Sequence, residues 1–87
     1  IAVSRADMKE KLQSIEKAVK EEDQKQIAVL SHYIKGAALT ARYKTMAGIA
    51  ANMELMAKDG IVDSMEEKLS ALTSEWNNVL HVMDRVM

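Results

Sequence analysis

The last quarter of the chain fixes one helix face more firmly than any other feature. Met65, Leu69, Leu72, Trp76, Val79, Met83 and Val86 follow one another at alternating steps of four and three without a fault. That is the spacing of a single apolar stripe on an α-helix. A helix with one such stripe must bury it against other elements. With 87 residues, the rest of the chain has room for one core to receive it.

The partners are read the same way. Met8, Leu12, Ile15 and Val19 recur at steps of four, three and four, and define helix 1. Ser4 with Asp7 three positions on resembles a capping arrangement, which predicts a start near Arg5. The acidic run Glu21, Glu22, Asp23 interrupts the stripe, and Asp23 with Gln26 forms a second plausible cap, so helix 2 is predicted to start near Gln24. Its stripe is Ile27, Leu30, Ile34, Ala37 and Ala41; the next series runs Met46, Ile49 or Ala50, Met53 and Ala57. At about 100° per residue the second series points roughly 140° away from the first, so one straight helix cannot bury both. A break is therefore expected near Arg42 to Thr45, although no glycine marks it. Lys58, Asp59 and Gly60 supply a basic last turn and a residue suited to the left-handed conformation, which ends helix 3. Asp63 with Glu66 is expected to cap helix 4.

Proline is absent and glycine occurs three times, while 48% of the residues are apolar, so β-structure lacks its usual punctuation. The expected fold is all-α, an antiparallel up-and-down four-helix bundle; a dimeric coiled coil is the lesser alternative. Seven methionines against three aromatic residues imply a core of adaptable aliphatic side chains. Met8, Met46, Met53, Met65 and Met83 all fall on core stripes, and Trp76 should be largely buried.

Several function classes are disfavoured. Twelve basic and 13 acidic residues are mixed along the sequence for a formal charge of −1, so no concentrated field suits nucleic acid. No cysteine is present, which removes disulfides and thiolate metal sites and fits a reducing compartment. No apolar run approaches the ~18 residues a bilayer span needs, so no membrane contact by this domain is expected. Because the sequence opens at Ile1 rather than methionine, it is read as processed or, in preference, as a single domain, residues 1–87, excised from a larger protein; a cytoplasmic location and a monomer in isolation are expected.

The chain has two histidines. His32 lies about 170° from the mean direction of the helix 2 stripe, and His81 about as far from that of helix 4, so both should face solvent. An ordinary surface residue is the commoner reading of an exposed histidine. His81, among Asn77, Asn78, Asp84 and Arg85, takes that reading. His32 differs, since its helix neighbours at −4, +4 and +7 are Ala28, Gly36 and Leu39, an odd surface for solvent. Glycine inside a helix costs about 1 kcal/mol relative to alanine, and at Gly36 it would admit a partner's active site beside the imidazole. Lys35, about 60° round the wheel, can bring an ammonium near an anion on the ring. An exposed imidazole, largely neutral near pH 7 and bordered by positive charge, is what a phosphoryl carrier requires. The chain lacks the clustered carboxylates of a magnesium site and the glycine-rich loop of a nucleotide site, so no cofactor of its own is expected. A metal site through His32 and His81 has little support, because no second histidine or cysteine lies at helical spacing from either one.

The run His32-Tyr33-Ile34-Lys35-Gly36-Ala37-Ala38 resembles the signature of histidine-containing phosphotransfer (HPt) domains of bacterial multistep phosphorelays. The resemblance extends from helix 1 through the acidic turn to Met53-Glu54 and the last helix. It implies that His32 accepts phosphoryl from a receiver-domain aspartyl phosphate and gives it to another receiver aspartate, with Mg²⁺ on the receiver. It implies response-regulator receivers as partners, docking on Ala28, Val29 and Leu39, and a kinase activity that resides elsewhere, as in a hybrid sensor histidine kinase. It also implies that Glu54 accepts a hydrogen bond from Nδ1 and leaves Nε2 for phosphorylation; on the wheel Glu54 sits at the bundle border, able to reach helix 2 or to be solvated. One departure is Arg42, where the family usually has a small residue, often glycine. The competing reading is a non-catalytic docking bundle, in which the strip of Ala28, Val29, His32, Gly36 and Leu39 only binds a partner. Tyr33 and Tyr43 flank the motif and are assigned no role.

Overall fold

A computed structural model describes residues 5–86, with side chains as far as residue 82. It contains four helices, α1 (Arg5–Lys20), α2 (Gln24–Thr40), α3 (Lys44–Lys58) and α4 (Met65–Val86), and no strand among the described residues.

The three connections share one local design. After α1, Glu22 N–H donates to Val19 and Asp23 N–H to Ala18; after α2, Arg42 N–H donates to Leu39 and Tyr43 N–H to Ala38; after α3, Gly60 N–H donates to Ala57 and Ile61 N–H to Met56. This paired pattern of backbone bonds is the Schellman motif, which satisfies the last carbonyls of a helix and needs one left-handed residue. Glu22 (φ 52°), Arg42 (φ 66°) and Gly60 (φ 77°) occupy that position. Only the third is glycine, which is why the second break carries no glycine signal. Asp23 and Tyr43 then also begin the next helix, and the Asp23 carboxylate accepts from Gln26 N–H at 3.2 Å.

Helix starts at Arg5 and Gln24 and the end at Lys58 agree with the spacing. The break after α2 falls at residues 41–43, slightly earlier than expected, because the Schellman turn consumes Ala41 and Arg42. Helix α4 begins at Met65, so Asp63 lies in the preceding turn rather than immediately before the first helical residue. The Ser4 cap and the side chains of Met83 and Val86 lie outside the described residues.

The buried face of α2 is Ile27, Ser31, Ile34, Ala37 and Ala38, whereas Leu30 and Ala41 are half-buried. Relative to the apolar stripe this face is turned by about 35° round the helix. A serine occupies the core because its hydroxyl donates to the Ile27 carbonyl at 2.6 Å, which removes the cost of burying it unpaired. In α3 it is Ala50 that is buried, with Ile49 half-buried.

Met8, Ile15, Ile27, Ile34, Met46, Met53, Met65 and Leu72 are the large apolar side chains at the centre, each contributing about 1.5–3 kcal/mol by leaving water. Helix α2 packs against α1 and most extensively against α3, and α4 against α3 and α1, closing a four-helix bundle. The start of α2 meets the end of α3 where Gln24 Nε2 donates to the Ala57 carbonyl at 2.7 Å. Near the other end of that pair, Tyr43 packs against Trp76 with ring centroids 6.5 Å apart. These pairings, with three-residue connections at both ends of α2, are those an up-and-down path calls for.

Candidate functional site

The rotation of α2 toward α3 carries His32 with it, to the rim of the α2–α3 seam. Its side chain remains 69% exposed, yet one edge of the ring is held. The His32 Nδ1–H donates to Glu54 Oε2 at 2.9 Å, and Lys35 Nζ donates to Glu54 Oε1 at 2.7 Å. Lys58, one turn beyond Glu54 on α3, places its Nζ 3.4 Å from Oε2. One carboxylate thus meets three side chains, two of which, His32 and Lys35, tie α2 to α3.

Glu54 itself is only 5% exposed, so the solvated alternative is not the one adopted. Burial alone would favour the neutral acid, but the Lys35 hydrogen bond, followed by those from His32 and Lys58, outweighs it and holds the carboxyl down at about 2. An ionised carboxylate can only accept, so the ring nitrogen facing it must be the protonated one. The lone pair is thereby left on Nε2, on the exposed side of the ring. A carboxylate that accepts from the far nitrogen of a metal-bound imidazole fixes its tautomer by the same physics.

The surface around the imidazole is smooth and apolar. Val29 and Leu39 are 55% and 58% exposed, Ala28 is half-buried, and Gly36 is exposed. A Cβ built at Gly36 would meet nothing within 4 Å, and its backbone does not need a positive φ. No contact among the described residues explains this glycine. His81 is exposed on α4, away from this arrangement.

The structure thus brings together His32, Lys35 and Glu54, with Ala28, Val29, Gly36 and Leu39 beside them on α2. Sequence reasoning missed Lys58, although a glutamate four residues before a lysine on one helix is a recognisable pairing signal. It also left Tyr33 unassigned. That side chain reaches across to α1, where its hydroxyl donates to Asp7 Oδ2 at 2.5 Å beneath the Lys11 ammonium.

Compared with known proteins, the chain matches the family model described as Hpt domain over residues 1–82. No curated protein and no solved structure gives a significant match. The match spans nearly the whole sequence and all but the end of α4, and on it the chain belongs to the Hpt domain family, the histidine phosphotransfer domains of phosphorelays.

Proposed function

We propose that His32 carries a phosphoryl group on Nε2, received from an aspartyl phosphate of one receiver domain and delivered to an aspartate of another. The observation that carries this reading is the Nδ1–Glu54 hydrogen bond, which presents Nε2 to solvent as a lone-pair nucleophile. In the forward step the Nε2 lone pair forms the N–P bond as the aspartyl O–P bond breaks, and the receiver's carboxylate leaves as its ion. The positive charge gained by the ring is shared with Nδ1–H, directly against the Glu54 carboxylate. The reverse step returns phosphoryl to an aspartate with the same bookkeeping of atoms and charge.

A loose phosphoryl-transfer transition state is stabilised mainly by positioning and electrostatics, and a divalent cation on the receiver supplies much of both. This domain contributes a fixed tautomer, an open approach over Gly36, and the ammonium groups of Lys35 and Lys58, which can swing from Glu54 toward the phosphoryl oxygens. The strip of Ala28, Val29 and Leu39 would meet the apolar rim of the receiver pocket.

The test mixes the purified domain with receivers charged by acetyl phosphate and Mg²⁺ and follows transfer by mass spectrometry. Acid-labile, base-stable phosphate should appear on the wild type and on H81Q, and should be lost in H32Q. If H32Q binds receivers and supports signalling as the wild type does, the domain is a docking module instead.

A further inference from the structure

We propose that Tyr33, locked by Asp7 and Lys11 of α1, is a specificity-determining anchor for the receiver domain, so that α1 as well as α2 selects the partner. This rests on the carrier reading above and extends its docking surface to a second helix. Tyr33 is 42% exposed and follows His32 in the chain. On α2 it lies three residues before Gly36 and four after Val29, so the three share one exposed face. His32 leans toward α3 and Tyr33 toward α1, so a receiver that covers the α2 face from the imidazole across Gly36 and Val29 borders the Tyr33 ring.

What sets this side chain apart is its immobilisation. An exposed tyrosine normally samples several rotamers, and ordering it on binding costs free energy. Here the hydroxyl donates to Asp7 Oδ2 at 2.5 Å, while Lys11 Nζ stands 4.9 Å from the ring centroid and 3.9 Å from Asp7 Oδ1. The Asp7 hydrogen bond, with smaller contributions from burial and from the charges of Asp7 and Glu10, pushes the phenol's pKa up and keeps the hydroxyl a donor. The ring is thus held from two sides before any partner arrives. Tyrosine is among the residues that most often dominate protein interfaces, and one already ordered loses less freedom on binding. The occupant is defined by the site it adjoins: the receiver that brings its phosphoaspartate to His32 is the partner that covers the neighbouring exposed area of Tyr33 and Val29.

The experiment compares two routes to the same phosphohistidine. Phosphoramidate labels His32 without a partner, whereas charged receiver domains must dock first. Y33A should lower the second-order rate of receiver-to-domain transfer by about tenfold or more, and leave phosphoramidate labelling and the unfolding midpoint close to wild type. K11M, which keeps the ring but releases one of its restraints, should lower receiver transfer by a smaller factor, about threefold. Receiver transfer at the wild-type rate in Y33A overturns the anchor. So does an equal loss by both routes, which would place Tyr33 in the support of the His32 ring. A wild-type domain labelled by phosphoramidate but by none of the receivers overturns the carrier reading itself, and the anchor with it.

Discussion

Replacing Glu54 by glutamine removes a buried charge while keeping its shape, and its consequence can be worked from the structure. The carboxyl titrates at about 2 in the folded domain against an ordinary value of 4.5. A difference of that size corresponds to about 3 kcal/mol of pH-dependent stability. Solvent screening of the exposed Lys58 and half-exposed Lys35 reduces this to about 2 kcal/mol. Because the folded value is the lowered one, the contribution is fully present above about pH 4.5 and is lost as pH falls toward about 2. E54Q should therefore be less stable than wild type by about 2 kcal/mol at pH 7, a fall in the unfolding midpoint of roughly 8–16 °C for a domain of this size. The two proteins differ at this one side chain, so the offset between them reports on Glu54. Urea unfolding followed by the fluorescence of buried Trp76, repeated from pH 7 to pH 3, should show that offset shrinking to less than half. An offset that stays constant across this range would refute the assignment of Glu54 as an ionised buried hub.

Other substitutions test separate parts of the account. R42G relieves a left-handed conformation held by a residue with a side chain, and should raise stability by about 1 kcal/mol, read as a higher midpoint in thermal unfolding. G36A places a methyl group in open space on a helix, so it should also stabilise by about 1 kcal/mol, yet slow phosphoryl transfer from a receiver; equal transfer rates would remove the partner-access argument for this glycine. Q24A leaves the Ala57 carbonyl without its 2.7 Å donor and should cost about 1 kcal/mol in urea denaturation, with transfer unchanged.

Much of this was legible in the sequence because helices announce themselves by period. The α4 stripe, the phase jump between the Ala41 and Met46 series, and the Asp23 cap each rest on local spacing, and each agrees with an element or a boundary. What spacing misses is polar burial. Ser31 reads as a surface residue until its bond to Ile27 is seen, and with Ala38 it turns the buried face of α2 toward α3. Glu54 is a similar case: besides Lys58 of its own helix, it is met by Lys35 and His32 of α2, and no spacing within α3 announces those. Arg42 and Glu22 show the limit of residue identity as a turn signal, since both take the conformation that glycine favours. The Tyr33 lock joins positions 26 residues apart, and no local pattern encodes it.

The central claim is that His32 carries the phosphoryl group on Nε2 because Glu54 holds Nδ1. Nitrogen-15 and phosphorus-31 NMR of the domain phosphorylated by a charged receiver tests it most directly, since the two phosphohistidine isomers give different nitrogen–phosphorus couplings. A single phosphoryl group on His32 Nε2 is expected, with Nδ1 still protonated against Glu54. Phosphate on Nδ1, or on a residue other than His32, would contradict it.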